Sequence, residues 1–363
     1  MKSVIIPAIG LCLGLIATAM PKSVNALTVS TRSIETVNPN QVKLAQIPDL
    51  DNSLSRANAL FDAGKYGEAI KAYTLIIRKE FSGIPQPQAR LKRSRAYVLA
   101  TVYGSPGYDD YDQAVGAAIA DCIRVINFEP SNPSGYYCRG YAYSYIFSHE
   151  AAFADFDRAI ALAPNDVTAH YERGNAYIRS DRLDRVDRAI ADFTEVIKLD
   201  PRFADAYYSR GLAYTYVRPA DLQSANADFN QAIKLAPREV SYYQARGKAR
   251  YAIKDFQGAI EDNTKVIQSI PSANSYSDRG DALAAFGKAD EALADYNQAI
   301  ALNSTVAYYG RGLVRAKRGD RKGAMSDLEQ AKRNYQENMG KGNFDKPEYQ
   351  RILKALEQLQ QKI

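Results

Sequence analysis

The sequence predicts an all-α fold, a solenoid in which one helical hairpin recurs along the chain. The first observation is the segment 133–164, which holds two successive apolar stripes at helical spacing and ends at Pro164, a residue that cannot continue a helix. Such a hairpin is too small to bury its own apolar faces and needs neighbours of the same kind. The other two observations are an arginine marker and an alanine marker, which return together through most of the sequence.

An arginine followed by a small residue marks the first helix of each predicted hairpin. These pairs are Arg56-Ala57, Arg93-Ser94, Arg139-Gly140, Arg173-Gly174, Arg210-Gly211, Arg246-Gly247, Arg279-Gly280 and Arg311-Gly312. Downstream of each pair an alanine opens the second helix, at Ala69, Ala118, Ala152, Ala189, Ala225, Ala259, Ala292 and Ala324. Small residues that face each other let two helices approach closely. About eight hairpins are therefore predicted within residues 49–344.

The period and its markers resemble the tetratricopeptide repeat (TPR). Closing prolines fall 34 to 37 residues apart, at Pro130, Pro164, Pro201, Pro237 and Pro271. The resemblance implies a right-handed α-solenoid whose first helices line a concave surface, and in this family that surface holds extended or helical peptides. The tryptophan often found early in the repeat is absent here, and tyrosine or histidine stands in its place.

Two segments depart from the regular hairpin. Residues 101–112, with the sequence TVYGSPGYDDYD, lengthen the turn of the second hairpin and are predicted to project from it as a loop. Residues 345–363 follow the eighth hairpin and are predicted to form a capping helix, because terminal repeats need an amphipathic cover. The apolar stripe of this helix is Ile352, Leu353, Leu356, Leu359 and Ile363.

Residues 1–26 have the pattern of a secretory signal peptide. A lysine gives a positive start, the stretch 4–20 is largely apolar, and Val24-Asn25-Ala26 offers small residues for cleavage. An uncleaved membrane anchor is the alternative, although the apolar run is near the lower limit for spanning a bilayer. The polar residues 27–48 lack periodicity and are predicted to be a flexible linker. We therefore expect an exported protein, periplasmic or secreted, with no membrane segment beyond the signal.

Export would allow a disulfide between Cys122 and Cys138. In other hairpins an aromatic residue holds the position of Cys122, so this cysteine is expected to face the core of its own hairpin. Cys138 lies off the core stripe of its helix. Two separate thiols are therefore favoured over a disulfide, with Cys122 acting as a small buried hydrophobe.

Composition and motifs argue against catalysis, metal binding and nucleic-acid binding. The formal net charge is +6, but acidic and basic residues alternate, and no Lys/Arg run could follow a phosphate backbone. His149 and His170 are the only histidines, and no pair of Cys or His has metal-ligand spacing. No Gly-rich loop links a strand to a helix. The protein is predicted not to be an enzyme and to need no cofactor.

Each arginine marker, except in the first hairpin, has an aspartate counterpart on the second helix of its hairpin. These aspartates are Asp121, Asp155, Asp192, Asp228, Asp262, Asp295 and Asp327. Arginine and aspartate that recur together predict a ladder of charge-assisted contacts, either within hairpins or from one hairpin to the next. An arginine-lined ligand groove is the alternative.

Tyrosine is abundant, with 26 residues, and on the first helices it occupies two stripes. The core stripe, predicted to hold the hairpins together, includes Tyr136, Tyr143, Tyr177, Tyr207 and Tyr214. The second stripe lies roughly 100–180° away around the helix and is predicted to contact a partner. Its members are Tyr137, Tyr141, Tyr145, Tyr171, Asn175, Arg179, Tyr208 and Tyr216. The alternative is that these rings pack between adjacent first helices.

The resemblance places this second stripe where the concave groove should be, and tyrosine suits such a groove because it combines a large apolar ring with a polar tip. The carboxylate clamp of some family members, in which Lys and Asn capture a peptide's C-terminal carboxylate, is not matched. Asn175 fits one of its positions, but Tyr171 stands where the lysine would be.

The predicted function is that of an exported, non-catalytic scaffold or adaptor that binds a protein or peptide partner. One rival is an exported enzyme or the accessory subunit of one, which the missing catalytic residues disfavour. The other is a structural protein that self-associates end to end. The capping helix argues against such assembly at the C-terminal end.

Overall fold

The computed structural model describes residues 48–78, 86–105, 107–108, 110–180, 183–217, 219–339 and 347–361. These residues hold seventeen α-helices and no β-strand. The predicted signal peptide and all of the predicted linker except Pro48 lie outside this part of the chain. Within the same ranges, no helix combines the length and apolar character needed to cross a membrane.

The described residues form two compact units. The N-terminal unit ends at Val217 and contains nine helices in the part described, with a short 3₁₀ helix, Leu183–Arg185, before α8. Its α-helices are α1 Pro48–Asp62, α2 Tyr66–Arg78, α3 Pro87–Val102, α4 Tyr111–Phe128, α5 Pro133–Tyr145, α6 His149–Leu162, α7 Val167–Arg179, α8 Val186–Leu199 and α9 Ala204–Tyr216. From α1 to α9, each helix packs on the one before it.

The C-terminal unit takes the described residues from 219 onward. Its helices are α10 Leu222–Leu235, α11 Val240–Ala252, α12 Phe256–Ser269, α13 Ala273–Phe286, α14 Ala289–Ala301, α15 Ala307–Lys317, α16 Arg321–Met339 and α17 Pro347–Gln360. From α11 to α17, each helix packs on the one before it. The predicted all-α stack of helical hairpins is confirmed.

Helix starts follow from side-chain caps. Asn132 accepts a hydrogen bond from the backbone amide of Ser134 at 2.9 Å, and Pro133 opens α5. Asp166 and Asp255 cap α7 and α12 in the same way. Such caps satisfy amides that have no partner within the helix.

The two helices of a hairpin meet where the small residue of the first faces the aromatic residue of the second. A β-carbon at Gly174 would lie 2.7 Å from the ring of Phe193, which is fully buried. A β-carbon at Gly140 would meet the backbone oxygen of Ala152 at 3.1 Å. Glycine is therefore needed for the close approach that the sequence predicted.

The arginine–aspartate ladder is present, and it works both within and between hairpins. Arg246 donates to Asp262 of its own hairpin from Nε at 2.9 Å and Nη2 at 2.6 Å, while its Nη1 reaches Asn230 of the preceding hairpin at 2.8 Å. Equivalent pairs within hairpins join Arg93 to Asp121, Arg139 to Asp155, Arg173 to Asp192, Arg279 to Asp295 and Arg311 to Asp327. These contacts engage the six guanidinium groups structurally rather than presenting them as a ligand groove.

A disulfide joins Cys122 and Cys138, so the prediction of two separate thiols is wrong. The physical reason is the position of Cys138 on its helix. The corresponding residue of the eighth hairpin, Gly310, lies against the ring of Tyr296 in the preceding hairpin. That helix position therefore faces the aromatic site of the hairpin before it, and in α4 this site holds Cys122.

Removing the disulfide with Cys122→Ser and Cys138→Ser is expected to lower the free energy of unfolding by about 3 kcal/mol, because the bond closes a short loop in the unfolded chain. Chemical denaturation of oxidised wild type and the double variant measures the difference. Reductant should bring the wild type to the stability of the double variant and leave that variant unchanged. Equal stability of all three samples would contradict a closed disulfide.

Tyrosines of the predicted core stripe hold the turn between hairpins. The hydroxyl of Tyr136 donates to the carbonyl oxygen of Pro130 at 3.1 Å, and Tyr207 and Tyr243 make the same bond to the prolines before their helices. In the fourth hairpin His170 takes this place, with Nε2 3.0 Å from the oxygen of Pro164. Its Nδ1 lies 3.2 Å from Asp192 Oδ1.

Because both ring nitrogens of His170 face acceptors, the charged imidazolium fits this site best. The hydrogen bond to Asp192 raises the pKa of His170 above its usual 6.5, against the opposing effect of burial. The stability that this contact supplies is therefore fully present below about pH 6.5 and is lost as the pH rises through the higher folded-state pKa.

The variant His170→Tyr should remove this pH dependence, because tyrosine occupies the same position in other hairpins and is neutral in this range. As the pH rises from 6 to 8, the thermal midpoint of the wild type should fall relative to that of the variant. We expect other titrating groups to cancel in that difference. A difference that stays constant with pH would contradict a charged His170.

The lengthened second turn is shorter than predicted. Thr101 and Val102 still belong to α3, and α4 already begins at Tyr111. Within the turn, the ring of Tyr108 packs on Tyr97 at 6.0 Å between centroids. Tyr103, at the start of the turn, stacks on Tyr66 at 5.8 Å, so the rings of both Tyr103 and Tyr108 anchor the loop to the first two hairpins.

At the C-terminal end, α17 covers the eighth hairpin. Ile352 and Leu356 are buried against Leu328 and Ala331 of α16. The predicted capping helix is thus present from Pro347 to Gln360, and Leu359 of its apolar stripe also packs against this cluster, whereas Ile363 lies outside the described residues.

Candidate functional site

First helices of consecutive hairpins lie next to one another in the N-terminal unit. Contacts join α1 to α3, α3 to α5, α5 to α7 and α7 to α9. We call the surface that these helices form the first-helix face. All eight residues predicted to contact a partner lie on three of its helices, α5, α7 and α9.

Three of the predicted contact residues are more buried than expected. Tyr141, Tyr171 and Tyr208 are only 4%, 7% and 6% exposed. The ring of Tyr171 shows the reason, because it lies 4.9 Å from Phe203 and 5.8 Å from Phe193, between its own hairpin and the next. The expectation that these three rings face an open groove is wrong, and packing between neighbouring hairpins fits them instead.

The other five predicted contact residues remain partly accessible. They are Tyr137, Tyr145, Asn175, Arg179 and Tyr216. Four of the five tyrosines assigned to the core stripe are also only partly buried, namely Tyr136, Tyr143, Tyr207 and Tyr214. Position on a helix therefore separates the two stripes less sharply than the sequence suggested.

Two arginines connect the tyrosines of α5 into one cluster. Arg95 of α3 donates from Nη1 to the hydroxyl of Tyr137 at 3.0 Å, and its guanidinium lies over the ring of Tyr141 at 5.1 Å. Arg179 of α7 lies over the ring of Tyr145 at 4.9 Å. Arginine over an aromatic face is a stabilising cation–π contact.

A buried carboxylate lies between these arginines. Oε1 of Glu172 is 3.9 Å from Nη2 of Arg95, and its Oε2 is 4.0 Å from Nη2 of Arg179. Arg179 also donates to the hydroxyl of Ser144 at 2.9 Å, while its Nε is buried without a hydrogen bond. We call the group the arginine–tyrosine cluster, formed by Arg95, Tyr137, Tyr141, Tyr145, Glu172 and Arg179.

Electrostatics keep the cluster in one protonation state. Burial raises the pKa of Tyr137, Tyr141 and Tyr145, so these phenols stay protonated at neutral pH. Burial opposes the charge of Arg95, but the surrounding tyrosine oxygens and Glu172 outweigh it, and the pKa of Arg95 is raised. The cluster therefore presents fixed donors, aromatic faces and a positive excess, which suit recognition of a ligand.

Sequence reasoning identified Tyr137, Tyr145 and Arg179 but missed Arg95 and Glu172. Arg95 follows the small residue Ser94 directly, at the helix position that Tyr141 and Asn175 hold in the next two hairpins. This position in the repeat was the sequence signal that could have identified Arg95 as a site residue. Glu172 holds the same helix position in its hairpin as Cys138 does in the hairpin before. A residue at this position contacts the preceding hairpin, and the pattern of one helix does not reveal that contact.

Within the described ranges, no three His, Cys, Asp or Glu side chains come together as metal ligands. His149 lies beside aromatic rings, 5.9 Å from Phe147 and 6.3 Å from Phe153 between centroids. His170 belongs to the hairpin core described above.

Sequential two-helix hairpins with recurring buried ion pairs define an α-helical repeat protein. Two family models match the sequence, one described as TPR repeat at residues 183–215 and one described as tetratricopeptide repeat at residues 277–338. The chain belongs to the tetratricopeptide repeat proteins. Such proteins generally serve as scaffolds for protein–protein interaction.

Comparison with solved structures finds several similar chains. A tetratricopeptide repeat protein from Parabacteroides merdae is 18% identical with a TM-score of 0.48, and the match covers 76% of this chain and 98% of that one. The APC/C hetero-tetramer Cut9–Hcn1 is 14% identical with a TM-score of 0.56; the match covers 88% of this chain and 58% of that one. YrrB, described as a TPR protein with an unusual peptide-binding site, is 20% identical with a TM-score of 0.45, over 56% of this chain and 97% of its own. No curated protein matches the sequence.

Proposed function

We propose that the protein is an exported, non-catalytic scaffold that binds a segment of a partner protein on the first-helix face of its N-terminal unit. The observation that carries this proposal is the arginine–tyrosine cluster. Its rings and guanidinium groups are held by one another before any ligand arrives, so little side-chain entropy is lost on binding. Tyrosine and arginine are also the residue types that dominate binding energy at protein interfaces.

The partly accessible members of the cluster are the proposed contacts. Tyr137, Tyr145 and Arg179 offer two hydroxyl groups and one guanidinium to a peptide backbone or side chain, and Asn175 and Tyr216 extend the surface along α7 and α9. The buried residues of the second stripe, Tyr141, Tyr171 and Tyr208, support these contact residues by packing beneath them. We therefore propose that the eight predicted residues form two layers. The five partly accessible residues contact the partner, and the three buried tyrosines hold those five in position.

Export is supported by the disulfide Cys122–Cys138, because disulfides persist mainly in oxidising compartments. It agrees with the signal-peptide pattern of residues 1–26. N-terminal sequencing of the mature protein tests this part of the proposal. A start at Leu27 is expected, and an intact Met1 in the membrane fraction would contradict it.

Binding is tested by screening the full-length chain on a peptide array and measuring the affinity of the best peptide for two variants. Tyr145→Ala removes a ring that lies under Arg179, and we expect it to weaken binding by about 2 kcal/mol, or about thirtyfold. Tyr136→Ala is the matched control, because Tyr136 is also half-buried on α5 and lies under Arg158 at 5.8 Å. It should leave the affinity nearly unchanged.

Two results would contradict the proposal. One is equal loss of affinity in both variants, which would mean that destabilisation of α5 is the cause. The other is an unchanged affinity for Tyr145→Ala, which would place the peptide elsewhere. Circular dichroism of each variant checks that the helices are intact.

A further inference from the structure

Two carboxylates lie one turn apart on α13, a first helix of the C-terminal unit. Asp278 is partly buried, whereas Asp281 is accessible to solvent. The neighbouring first helices α11 and α15 both contact α13. Asp281 holds the helix position that Tyr141 and Asn175 hold in the N-terminal unit. It therefore lies on the corresponding first-helix face of the C-terminal unit, which α11, α13 and α15 form.

A buried tyrosine fixes the orientation of Asp281. The hydroxyl of Tyr296, on α14, donates to Oδ1 of Asp281 at 2.7 Å. In three other hairpins a phenylalanine holds the position of Tyr296, namely Phe156, Phe193 and Phe229. The first hairpin has the equivalent pair, in which the hydroxyl of Tyr73 donates to Oδ1 of Asn58 at 2.7 Å, whereas in the seventh hairpin the acceptor is a carboxylate.

Two glycines let this hydroxyl reach the first-helix face. A β-carbon at Gly280 would lie 2.9 Å from the ring of Tyr296. A β-carbon at Gly310 would lie 2.6 Å from its Cζ and 2.8 Å from its hydroxyl oxygen. Any larger residue at position 310 would displace the phenol of Tyr296. The glycines of α13 and α15 therefore provide the space that this ring occupies.

The carboxylates exceed the positive charge around them. Nζ of Lys248 lies 3.8 Å from Oδ2 of Asp278, an oxygen that is buried and accepts no hydrogen bond. In the described part of the chain no Lys or Arg forms an ion pair with Asp281. The two carboxylates and the one ammonium group together carry a net negative charge. The Tyr296 hydroxyl, which donates to Asp281, is neutral and does not offset this charge.

The pKa values of the two aspartates agree with this geometry. Burial raises the pKa of Asp278, with Lys248 opposing the shift. Although Asp281 is accessible to solvent, desolvation by the surrounding helices and the nearby Asp278 raise its pKa to about 6, against the effect of the Tyr296 hydrogen bond. The second negative charge is therefore unfavourable at neutral pH, and a cation beside it would relieve the cost.

Aromatic side chains flank Asp281 on both neighbouring helices. Tyr251 of α11 is 41% exposed, and Tyr309 of α15 is half-buried. Burial, and in both cases the charge of Asp281, raise the pKa of these phenols. Their rings can contact the aliphatic stem of a long side chain and the face of its cationic group.

We propose that the C-terminal unit binds a lysine or arginine side chain of a partner segment at the pair Asp278 and Asp281, between Tyr251 and Tyr309. The inference rests on the proposed scaffold function and adds the chemistry of one partner residue to it. Charge complementarity selects this occupant, because two oriented carboxylates suit a cation and disfavour an anion or an apolar group.

Immobilised N-acetylated, C-amidated hexalysine is the probe, and its counterpart with all six side chains acetylated is the neutral reference. The full-length chain should bind hexalysine at least about tenfold more tightly than the reference. Indiscriminate attraction should not produce this difference, because the formal net charge of the chain is +6. Equal binding of the two peptides, or none by either, would overturn the proposal.

Asp281→Asn keeps the shape of the side chain and removes its charge, and it should weaken hexalysine binding about tenfold. Glu261→Gln, on the exposed face of α12, makes the same change in net charge away from the site and should leave binding within about twofold. Tyr251→Ala is the second variant and should also weaken binding. Affinities that are the same for Asp281→Asn and Glu261→Gln would overturn the proposal.

Lowering the pH from 7.5 to 5.5 should weaken hexalysine binding by the wild type and leave Asp281→Asn less affected. The titratable groups that interact with Asp281 are Asp278, Tyr251, Tyr296 and Tyr309, while Lys248 interacts with Asp278 and Arg351 with Tyr309. Among them only the carboxylates change charge in this interval. A pH dependence that is identical in wild type and variant would overturn the role of Asp281.

Failure here is distinguishable from failure of the scaffold function. The affinity of the array-selected peptide for Tyr145→Ala reports on the N-terminal unit alone. If that affinity falls while Asp281→Asn binds hexalysine like the wild type, the cation site is wrong and the scaffold function stands.

Discussion

Asp262→Ala is expected to lower the free energy of unfolding by about 3–5 kcal/mol. Asp262 is 2% exposed and accepts hydrogen bonds from two arginines, Arg246 at 2.6 and 2.9 Å and Arg250 at 3.1 Å. Truncation leaves both guanidinium groups mostly buried without their carboxylate. The cost of an uncompensated buried charge exceeds the net contribution of the intact pair, so the loss should be large.

Glu261→Ala is the matched control for Asp262→Ala. It removes the neighbouring carboxylate on the same helix, but Glu261 is exposed, and its hydrogen bond to Gln257 competes with water. Its cost should stay within about 0.5 kcal/mol. Denaturation midpoints at one pH compare the two variants. Similar losses in both would show that the ladder contributes through helix propensity and not through its buried pairs.

The second large effect is expected for Phe193→Ala, again about 3–5 kcal/mol. Phe193 is fully buried, and its ring fills the space left by Gly174, which has no side chain to move into the cavity. The neighbouring Tyr171 is held in place by a hydrogen-bond contact with Ser209 at 3.3 Å. The cavity should therefore collapse only partly, and the cost should lie well above that of the transferred surface alone.

Phe147→Ala serves as the control for Phe193→Ala. Phe147 lies at the turn after α5 and is 77% exposed. Its removal should change stability by no more than about 0.5 kcal/mol. If both phenylalanines cost the same, the hairpin core would not depend on the close contact between Gly174 and Phe193.

Helices, hairpins and the arginine–aspartate ladder were predictable because each leaves a periodic mark in the sequence. Arg246 and Asp262, for example, repeat in register with their equivalents in other hairpins. Periodicity shows which side of a helix carries a residue. It also gives the spacing of helix pairs, since the small residues and alanines that permit close approach recur with it.

The disulfide and the burial of the second stripe were not predictable in this way. Cys138 and Tyr141 both lie off the core stripe of α5, yet both are buried. Their neighbours belong to other hairpins, since Cys122 comes from α4 and Arg95 from α3. A helix pattern identifies the face that packs within a hairpin, whereas contacts between hairpins depend on how one pair sits on the next.

The candidate site was predicted in part for the same reason. Tyr145 and Arg179 were identified as single residues on neighbouring helices, but the contact between them at 4.9 Å appears only in three dimensions. At the helix positions of Arg95 and Glu172, most other hairpins carry an uncharged residue. A charge that breaks the repeat pattern is therefore the sequence signal to look for in such proteins.

Photo-crosslinking of the array-selected peptide tests binding on the first-helix face most directly. The photoreactive residue p-benzoyl-phenylalanine replaces either Tyr145, on that face, or Leu75, which is 61% exposed on the second helix of the first hairpin. Partner binding at the arginine–tyrosine cluster predicts a strong crosslink from position 145 that excess unlabelled peptide removes, and little from position 75. Equal crosslinking from both positions, or a stronger product from position 75, would contradict it.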